Sequence, residues 1–178
     1  MKLPTAQGRL VRETPRLHLR ELTEDDAAFI LELVNEPGWL RFIGDRNVHS
    51  LEEARGYIVR GPMASYVKHG FGLWAVALRS SRAPLGICGL IRRESLPHAD
   101  LGFAFLARHH GHGYAREAAA AAVALARPSY GIRRLLAITD PDNDASRAVL
   151  EHVGFTFERE FTWSENGKQQ ALYALDLA

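Results

Sequence analysis

The sequence predicts an α/β (α+β) fold in which helices cover both faces of a mixed, mostly antiparallel central sheet. Three observations predict it. Three strand-like segments with short connections follow one another between residues 72 and 106. An alanine-rich helix then leads to a short buried strand, which the crossover connection makes parallel to the strand before it. Two further strand-like segments on either side of Asn166-Gly167 end the chain as a hairpin.

Residues 17–68 predict one strand followed by a helical region. The first segment alternates apolar and polar residues, as a half-buried strand does. Two capping-box patterns, each with a hydroxyl residue three positions before an acidic one, predict where helices begin. The predicted elements are a strand at 17–22, a helix from Thr23 to about Asn35 that Pro37-Gly38 ends, and a helix from Ser50 that Gly61-Pro62 breaks or kinks before it continues toward Lys68.

The remaining elements follow from apolar alternation, turn residues and helix propensity. Gly154 is placed to close the last helix in a left-handed cap. The predicted elements are strands at 72–78, 85–91 and 100–106, a helix from Tyr114 to Arg127 that Pro128 ends, a strand at 135–139, a helix from Asn143 to Val153, and hairpin strands at 155–161 and 171–177.

Length and composition limit the class of protein. The chain has 178 residues, 47% of them hydrophobic and 24% charged, so we expect one domain over 1–178, with room for a flexible N-terminal segment at 1–13. A formal net charge of +1, from interspersed charges, disfavours a nucleic-acid partner. No targeting segment or membrane-spanning apolar run is present, so we expect a cytoplasmic protein with no membrane partner. Cys88 is the only cysteine, which excludes an intramolecular disulfide.

Gly111 and Gly113 lie between the strand at 100–106 and the helix that begins at Tyr114. Glycine lets the backbone approach a ligand closely, and the first N–H groups of a helix have no partner within it. The helix dipole attracts anions, and Arg108 can add a positive charge. This pattern predicts an anion site, although a tight turn alone would also use two glycines.

The residues around this loop resemble those of the GNAT superfamily of N-acetyltransferases. Arg108-x-x-Gly111-x-Gly113 is similar to its signature of Gln or Arg, two residues, Gly, one residue, then Gly or Ala. The segments at 100–103 and 114–118 resemble the flanking strand and helix, and the segment at 140–155 resembles the second cofactor-contacting segment. From Thr14-Pro15-Arg16-Leu17 onward the pattern is similar to the branch that includes the ribosomal-protein N-terminal (alanine) acetyltransferases.

The resemblance implies an acetyl-CoA site between the strands at 100–106 and 135–139, which splay apart in this family. It implies strand backbone that pairs with the pantetheine arm, loop amides that hold the pyrophosphate, and side chains that contact the arm. The strand residues are Phe103, Ala104, Phe105 and Leu106. The loop residues are Arg108, Gly111, His112, Gly113, Tyr114 and Ala115. The side chains that contact the arm are those of Asn143 and Ser146. Asn143 has the alternative use of capping its helix.

The implied reaction is direct attack of a primary amine on the thioester in a ternary complex, with CoA as product. The departing thiolate needs a proton. Many superfamily members have a tyrosine for this purpose four residues after the position of Ser146, where this chain has Leu150. Ser146 or water is therefore the candidate acid.

Asp100 and Glu165 are the candidate bases, and each has a structural alternative as a buried or solvated carboxylate. An α-amino group of pKa about 7.7–8 loses its proton far more easily at neutral pH than a lysine-like amine of pKa about 10.4. A weak acid–base set therefore favours an α-amino acceptor on a protein, a peptide or a small molecule.

Other interpretations use the same residues. A Rossmann dinucleotide site is disfavoured because Arg116 stands where the third glycine belongs. A metal site at His109, His110 and His112 is disfavoured because adjacent histidines point in different directions, so we expect no metal. A non-catalytic acyl-CoA sensor or interaction module is the main alternative, because the usual tyrosine is missing.

The acceptor and the oligomeric state, monomer or homodimer, stay open. In this fold the acceptor is expected near residues 39–45, 60–71 and 163–170. Trp39, Phe42 and Trp163 would there either line a pocket or anchor the core.

Overall fold

A computed structural model describes residues 7–178, with one eight-stranded sheet in the order β1-β2-β3-β4-β5-β6-β8-β7. All neighbouring strands are antiparallel except β5 and β6, which are parallel. The strands are β1 (Leu10–Glu13), β2 (Leu17–Glu21), β3 (Leu73–Leu78), β4 (Pro84–Ile91), β5 (Asp100–Phe105), β6 (Arg134–Thr139), β7 (Thr156–Thr162) and β8 (Gln169–Asp176). The predicted mixed, mostly antiparallel sheet is confirmed.

The helices occur before, within and after the run of strands. The α-helices are α1 (Ala27–Val34), α2 (Pro37–Phe42), α3 (Leu51–Ile58), α4 (Ala64–His69), α5 (Tyr114–Tyr130) and α6 (Asp144–His152). Short 3-10 turns precede α1 and follow β5, and a π-helical turn that contains Pro62 joins α3 to α4, which confirms the predicted kink. No helix within residues 7–178 is long and apolar enough to cross a membrane.

The helices of the first third begin where the capping patterns predict. The Thr23 amide donates to Asp26 Oδ2 at 2.9 Å, and Ser50 Oγ accepts from the Glu53 amide at 3.1 Å. Pro37 was predicted only to end a helix, yet it also begins α2. At the first helical position the missing N–H of proline leaves no hydrogen bond unmade, so a new helix can start there.

Helix α5 extends to Tyr130, so the prediction that Pro128 ends it is wrong. Pro128 lies in the last turn, where a missing N–H removes only one intrahelical bond. Gly131, with φ of +68°, is the true end of the helix. The Gly131 amide donates to Arg127 O at 2.9 Å, the single bond of a left-handed (αL) cap, and the Ile132 amide donates to Ala126 O at 3.0 Å.

Helices cover both faces of the sheet, and strand β3 shows how the sequence achieves this. Trp74 and Val76 pack with α5 and α6, whereas Ala75 packs with α1 and α3. Successive side chains of a strand point to opposite faces, so an all-apolar strand is buried on both sides.

Strand β1, at Leu10–Glu13, is not predicted from the sequence and lies in the N-terminal segment that is expected to be flexible. Its side chains are mostly exposed, with Leu10 at 48%, so it lacks the apolar alternation that reveals a strand. Pairing with β2 at the sheet edge holds it in place. Residues 1–6 of that segment lie outside the described residues.

Strands β5 and β6 pair at one register position, Asp100 with Leu136, where the Leu136 amide donates to Ala99 O at 2.9 Å. Beyond that point, within the described residues, no register pair joins them. The carboxyl ends of parallel strands meet at the same edge of a sheet. The sheet is therefore open toward the loops at 106–113 and 140–143.

Candidate active site

The loop between β5 and α5 has the backbone that the two glycines predict. Gly111 and Gly113 have φ of +79° and +78°, a region that disfavours side chains. The Glu117 amide bonds to Gly113 O at 3.1 Å as the first helical bond of α5. The N–H groups of Tyr114 and Ala115 precede that bond, so they are among the helix amides that have no intrahelical acceptor. The arrangement can bind an anion.

Arg108 directs its guanidinium group to Glu32 of α1, with which it forms hydrogen bonds. Hydrogen bonding to Arg108 holds the pKa of Glu32 below its ordinary value. Glu36 of the same helical region accepts from the Ala107 amide at 2.8 Å. The start of the loop is thus attached to α1, and the contribution of Arg108 to anion binding stays a prediction.

Arg16, which precedes β2, contacts the end of the loop and the first turn of α5. Its Nη1 donates to His112 O at 2.8 Å and its Nε donates to Glu117 Oε2 at 2.7 Å. Its guanidinium carbon lies 4.7 Å from the centre of the Tyr114 ring. This role of Arg16 is not predicted from the sequence, because a contact across 96 residues leaves no local signal.

The free edge of β5 narrows the set of backbone groups available to a pantetheine arm. Ala99 O accepts a hydrogen bond from β6. The N–H and C=O groups of successive residues point to alternate sides of a strand, so those of every second residue after Ala99 point toward β6. The backbone groups of Phe103 and Phe105 therefore face the opening. Leu106 donates its N–H to Leu85 O of β4 at 2.9 Å, so Leu106, and Ala104 by the same alternation, face β4. His110 Nε2 contacts Phe105 O at 2.8 Å. Of the four predicted strand residues, only Phe103 and Phe105 direct backbone groups into the opening.

Asn143 and Ser146 lie at the start of α6, beside the same opening. Asn143 Oδ1 accepts from the Ser146 amide at 3.2 Å, so Asn143 caps the helix, the alternative that the sequence left open. Ser146 is half-buried. Leu150, at 1% exposure, packs in the core below α5 and α6.

Asp100 begins β5 at the closed end of the opening, and it is 1% exposed. Arg93 Nε lies 3.1 Å from its Oδ1. Burial raises the pKa of Asp100 to about 6, although Arg93 opposes the shift. Since Leu101 faces α5, Asp100 faces the opposite side of the sheet from α6 and Ser146. The structure does not bring Asp100 and Ser146 together on one face.

Glu165 lies in the turn between β7 and β8, where it is exposed and accepts from Ser95 Oγ at 2.8 Å. This contact holds the hairpin tip against the loop at 92–99. Trp163 beside it is 4% exposed, and the Arg93 guanidinium lies 5.8 Å from its ring centre. An open cleft of about 420 Å³ separates the loop at 95–98 from the hairpin.

The aromatic residues named as acceptor contacts are mainly core anchors. Trp39 is 7% exposed, packs among α1, α2 and α3, and donates its Nε1–H to Gly44 O at 3.1 Å. Trp163 packs against Leu136 and Leu172. Phe42 is half-buried beneath the guanidinium group of Arg41. The core-anchor interpretation is therefore confirmed for both tryptophans.

The loop histidines have separate surroundings. His110 contacts the Phe105 carbonyl, whereas the His112 ring lies against Tyr114 with centroids 5.5 Å apart. Within residues 7–178, no three His, Cys, Asp or Glu side chains are grouped as metal ligands.

Known proteins resemble this chain in architecture and in sequence. The Acetyltransferase (GNAT) domain family matches residues 16–156. The chain is 28% identical over 149 residues to the uncharacterized N-acetyltransferase YoaA of Bacillus subtilis (strain 168), covering 83% of this chain and 84% of that protein. An acetyltransferase from Agrobacterium tumefaciens str. C58 superposes with a TM-score of 0.80 at 24% identity and covers 99% of both chains.

A ribosomal L7/L12 alpha-N-protein acetyltransferase in complex with coenzyme A superposes with a TM-score of 0.72 at 19% identity, covering 95% of this chain and 98% of that one. At that identity the likeness shows a shared fold. The family match extends from Arg16 through the glycine loop and α6. The chain therefore belongs to the GNAT acetyltransferase family and is an acetyl-CoA-dependent N-acetyltransferase.

Proposed function

We propose that the chain binds acetyl-CoA in the opening between β5 and β6 and transfers the acetyl group to an α-amino group of a protein, a peptide or a small molecule. One observation carries the proposal: the parallel pair is held at a single register position and opens toward a loop with two left-handed glycines. A free strand edge and a cluster of helix amides thus lie next to each other. This pair of features suits a ligand with an amide-containing arm and a phosphate group.

The loop and helix amides fit the pyrophosphate. The predicted residues Gly111, His112, Gly113, Tyr114 and Ala115 form a continuous run that crosses the start of α5. Phosphate oxygens accept several N–H bonds there, and the positive end of the helix dipole adds to the attraction. The loop is exposed, so the nucleotide end of the molecule can remain in solvent.

The opening fits the pantetheine arm. The backbone groups of Phe103 and Phe105 can pair with its amides as an added strand would. Ser146 lies on the first turn of α6, next to the arm. Asn143 uses its oxygen as a cap, so its side-chain NH₂ group is the part that remains for the arm.

Asp100 is the stronger of the two candidate bases. Acetyl-CoA supplies an acyl group that is already activated as a thioester. With a pKa of about 6, the Asp100 carboxyl is mostly ionised at pH 7 and can accept the amine proton, directly or through a water molecule. Glu165 is exposed and holds the hairpin tip, so its role is better explained by that contact.

The acid–base chemistry favours an α-amino acceptor. At pH 7 an α-amino group of pKa about 7.7–8 loses its proton at a cost of about 1 kcal/mol, whereas a lysine-like amine costs about 4–5 kcal/mol. A lone carboxylate and a serine meet the smaller demand. The alpha-N-protein acetyltransferase of the same fold supports a protein N-terminus as one such acceptor.

The test is a panel of amines, with acetyl-CoA as donor and free thiol as readout. We expect peptides with free α-amino groups to be acetylated faster at pH 7 than polyamines or acetyl-blocked lysine peptides. The opposite preference would remove the case for an α-amino acceptor. Leu150 is buried and cannot protonate the departing thiolate, so Ser146 or water must do so. Tight CoA binding with no thiol release from any amine would contradict the proposal.

Ser146→Ala should lower kcat about tenfold, and KM for acetyl-CoA should change less, because the other contacts to the pantetheine arm remain. A positioned acid or base typically contributes about a hundredfold or more, but water can replace a serine hydroxyl in part. Steady-state kinetics with the best amine measure the effect. Ser129→Ala, at an exposed position late in α5, is the matched control and should leave both constants unchanged. An unchanged kcat in Ser146→Ala would assign the proton to water.

A further inference from the structure

The chain from Thr14 to Arg16 is bonded to the first turn of α5 through Glu117. Thr14 Oγ1 donates to Glu117 Oε1 at 2.6 Å, and the Arg16 amide donates to the same oxygen at 3.0 Å. Arg16 Nε donates to the other oxygen, Oε2, at 2.7 Å. Both carboxylate oxygens of Glu117 therefore accept hydrogen bonds from this segment. Burial acts to raise the pKa of Glu117, but the hydrogen bonds from Thr14 and Arg16 hold it below its ordinary value.

The Glu117 carboxylate fixes the position of the Arg16 guanidinium group, which then contacts the loop. Arg16 Nη1 donates to His112 O at 2.8 Å. A methyl group built on Gly113 would lie 3.5 Å from Arg16 Nη2, so the guanidinium group lies directly against this glycine. The Tyr114 ring packs on the guanidinium plane. Arg16 is thus held by a carboxylate, a carbonyl and an aromatic ring.

These contacts determine the direction of one amide. His112 C=O and Gly113 N–H belong to the same peptide unit, and in a trans peptide they point in opposite directions. Because Arg16 holds His112 O on its own side, the Gly113 N–H points away from Arg16. Gly113 has φ of +78°, and glycine accepts many backbone conformations, so without this contact the peptide unit could rotate.

We propose that Arg16 is a positioning residue for cofactor binding: it fixes the 112–113 peptide unit so that the Gly113 N–H is presented to the pyrophosphate of acetyl-CoA. This inference rests on the proposed function, which places the pyrophosphate at this loop. Most of the positive charge of Arg16 is matched by Glu117, so its effect is exerted through the peptide unit. Glu117 supports this role by holding the guanidinium group, and Thr14 supports it by bonding to Glu117.

The test compares two acyl donors, acetyl-CoA and S-acetyl-pantetheine, which lacks the pyrophosphate and the nucleotide. Arg16→Gln should lower kcat/KM for acetyl-CoA about tenfold, the effect of one hydrogen bond to a charged group, through KM. The value for S-acetyl-pantetheine should not change. Arg16→Lys should lose less than Arg16→Gln, because lysine keeps a positive hydrogen-bond donor. Its loss should not be zero, because one ammonium group cannot keep the forked contacts to both Glu117 and His112. Arg12→Gln, at an exposed arginine of β1, is the matched control.

Glu117→Gln provides a second variant, because it keeps Arg16 but weakens the contact that holds it. We expect a smaller loss that is again confined to acetyl-CoA. Equal losses for both donors, or no loss for either, in wild-type-like folded variants would overturn the inference. If the wild-type protein itself fails to bind CoA, the proposed function fails as well. If the wild-type protein binds CoA but the Arg16 and Glu117 variants keep the wild-type kcat/KM for acetyl-CoA, only the positioning role is contradicted.

Discussion

Gly113→Val should abolish measurable CoA binding while the protein stays folded. Valine is strongly disfavoured at the φ of +78° that Gly113 adopts, so the loop must change its conformation. The new Cβ would lie in ordinary van der Waals contact with Arg16 Nη2, at 3.5 Å, so backbone strain is the main cause of the change. Several amide bonds to the pyrophosphate would be lost together. We expect Kd for CoA to rise by about a hundredfold or more, as measured by calorimetric titration.

Gly70→Val is the matched control for backbone strain. Gly70 has the same φ of +78°, and a Cβ built on it meets no atom within 4 Å. It follows α4, far along the chain from the loop. The two variants should therefore lose similar thermal stability, but Gly70→Val should keep the wild-type Kd. CoA binding by Gly113→Val at wild-type strength would show that the pyrophosphate lies elsewhere.

Asp100→Asn should lower kcat at neutral pH by about five- to tenfold, because without a base an α-amino acceptor must lose its proton at a cost of about 1 kcal/mol. Asparagine has nearly the same shape, so packing at the start of β5 is kept. In the wild-type protein the carboxyl acts as a base only when ionised, so its contribution to kcat should rise with pH through about 6. The variant should lack this limb, because an amide does not ionise.

The pH dependence separates a base from a structural carboxylate. Above about pH 8 an α-amino acceptor is mostly neutral without assistance, so the variant should approach the wild-type rate there. A constant deficit at every pH would instead indicate that Asp100 only orders Arg93 and the nearby loop. Asp25→Asn, at an exposed position before α1, controls for the loss of one negative charge. Glu165→Gln tests the rival base directly, and a larger loss there would reverse the assignment.

The sequence predicted the elements whose signals are local. The glycine loop, α5 and the final hairpin follow from residues that are close together in the chain, and the structure has them within a few residues of the predicted bounds. The end of α5 was misplaced because Pro128 suggested a stop, while the cap at Gly131 decided it. Strand β1 was missed because edge pairing with β2, rather than apolar alternation, forms it.

The contacts that organise the site were mostly not predictable. Arg16 and Arg108 bind Glu117 and Glu32, partners 101 and 76 residues away, and no periodicity reports such pairs. Arg93 likewise matters because it pairs with Asp100, whose burial is not visible in the sequence. The direction of backbone groups along β5 also needed the pairing register, which showed that Phe103 and Phe105 face the opening.

A titration followed by backbone amide NMR tests the central claim most directly. CoA should shift the amide resonances of Gly111, Gly113 and Ala115 together with those of Phe103 and Phe105. Pantetheine, which lacks the pyrophosphate, should shift only the strand resonances. CoA-induced shifts that leave the loop amides unmoved, or that cluster at another part of the sheet, would contradict the assignment of this opening as the cofactor site.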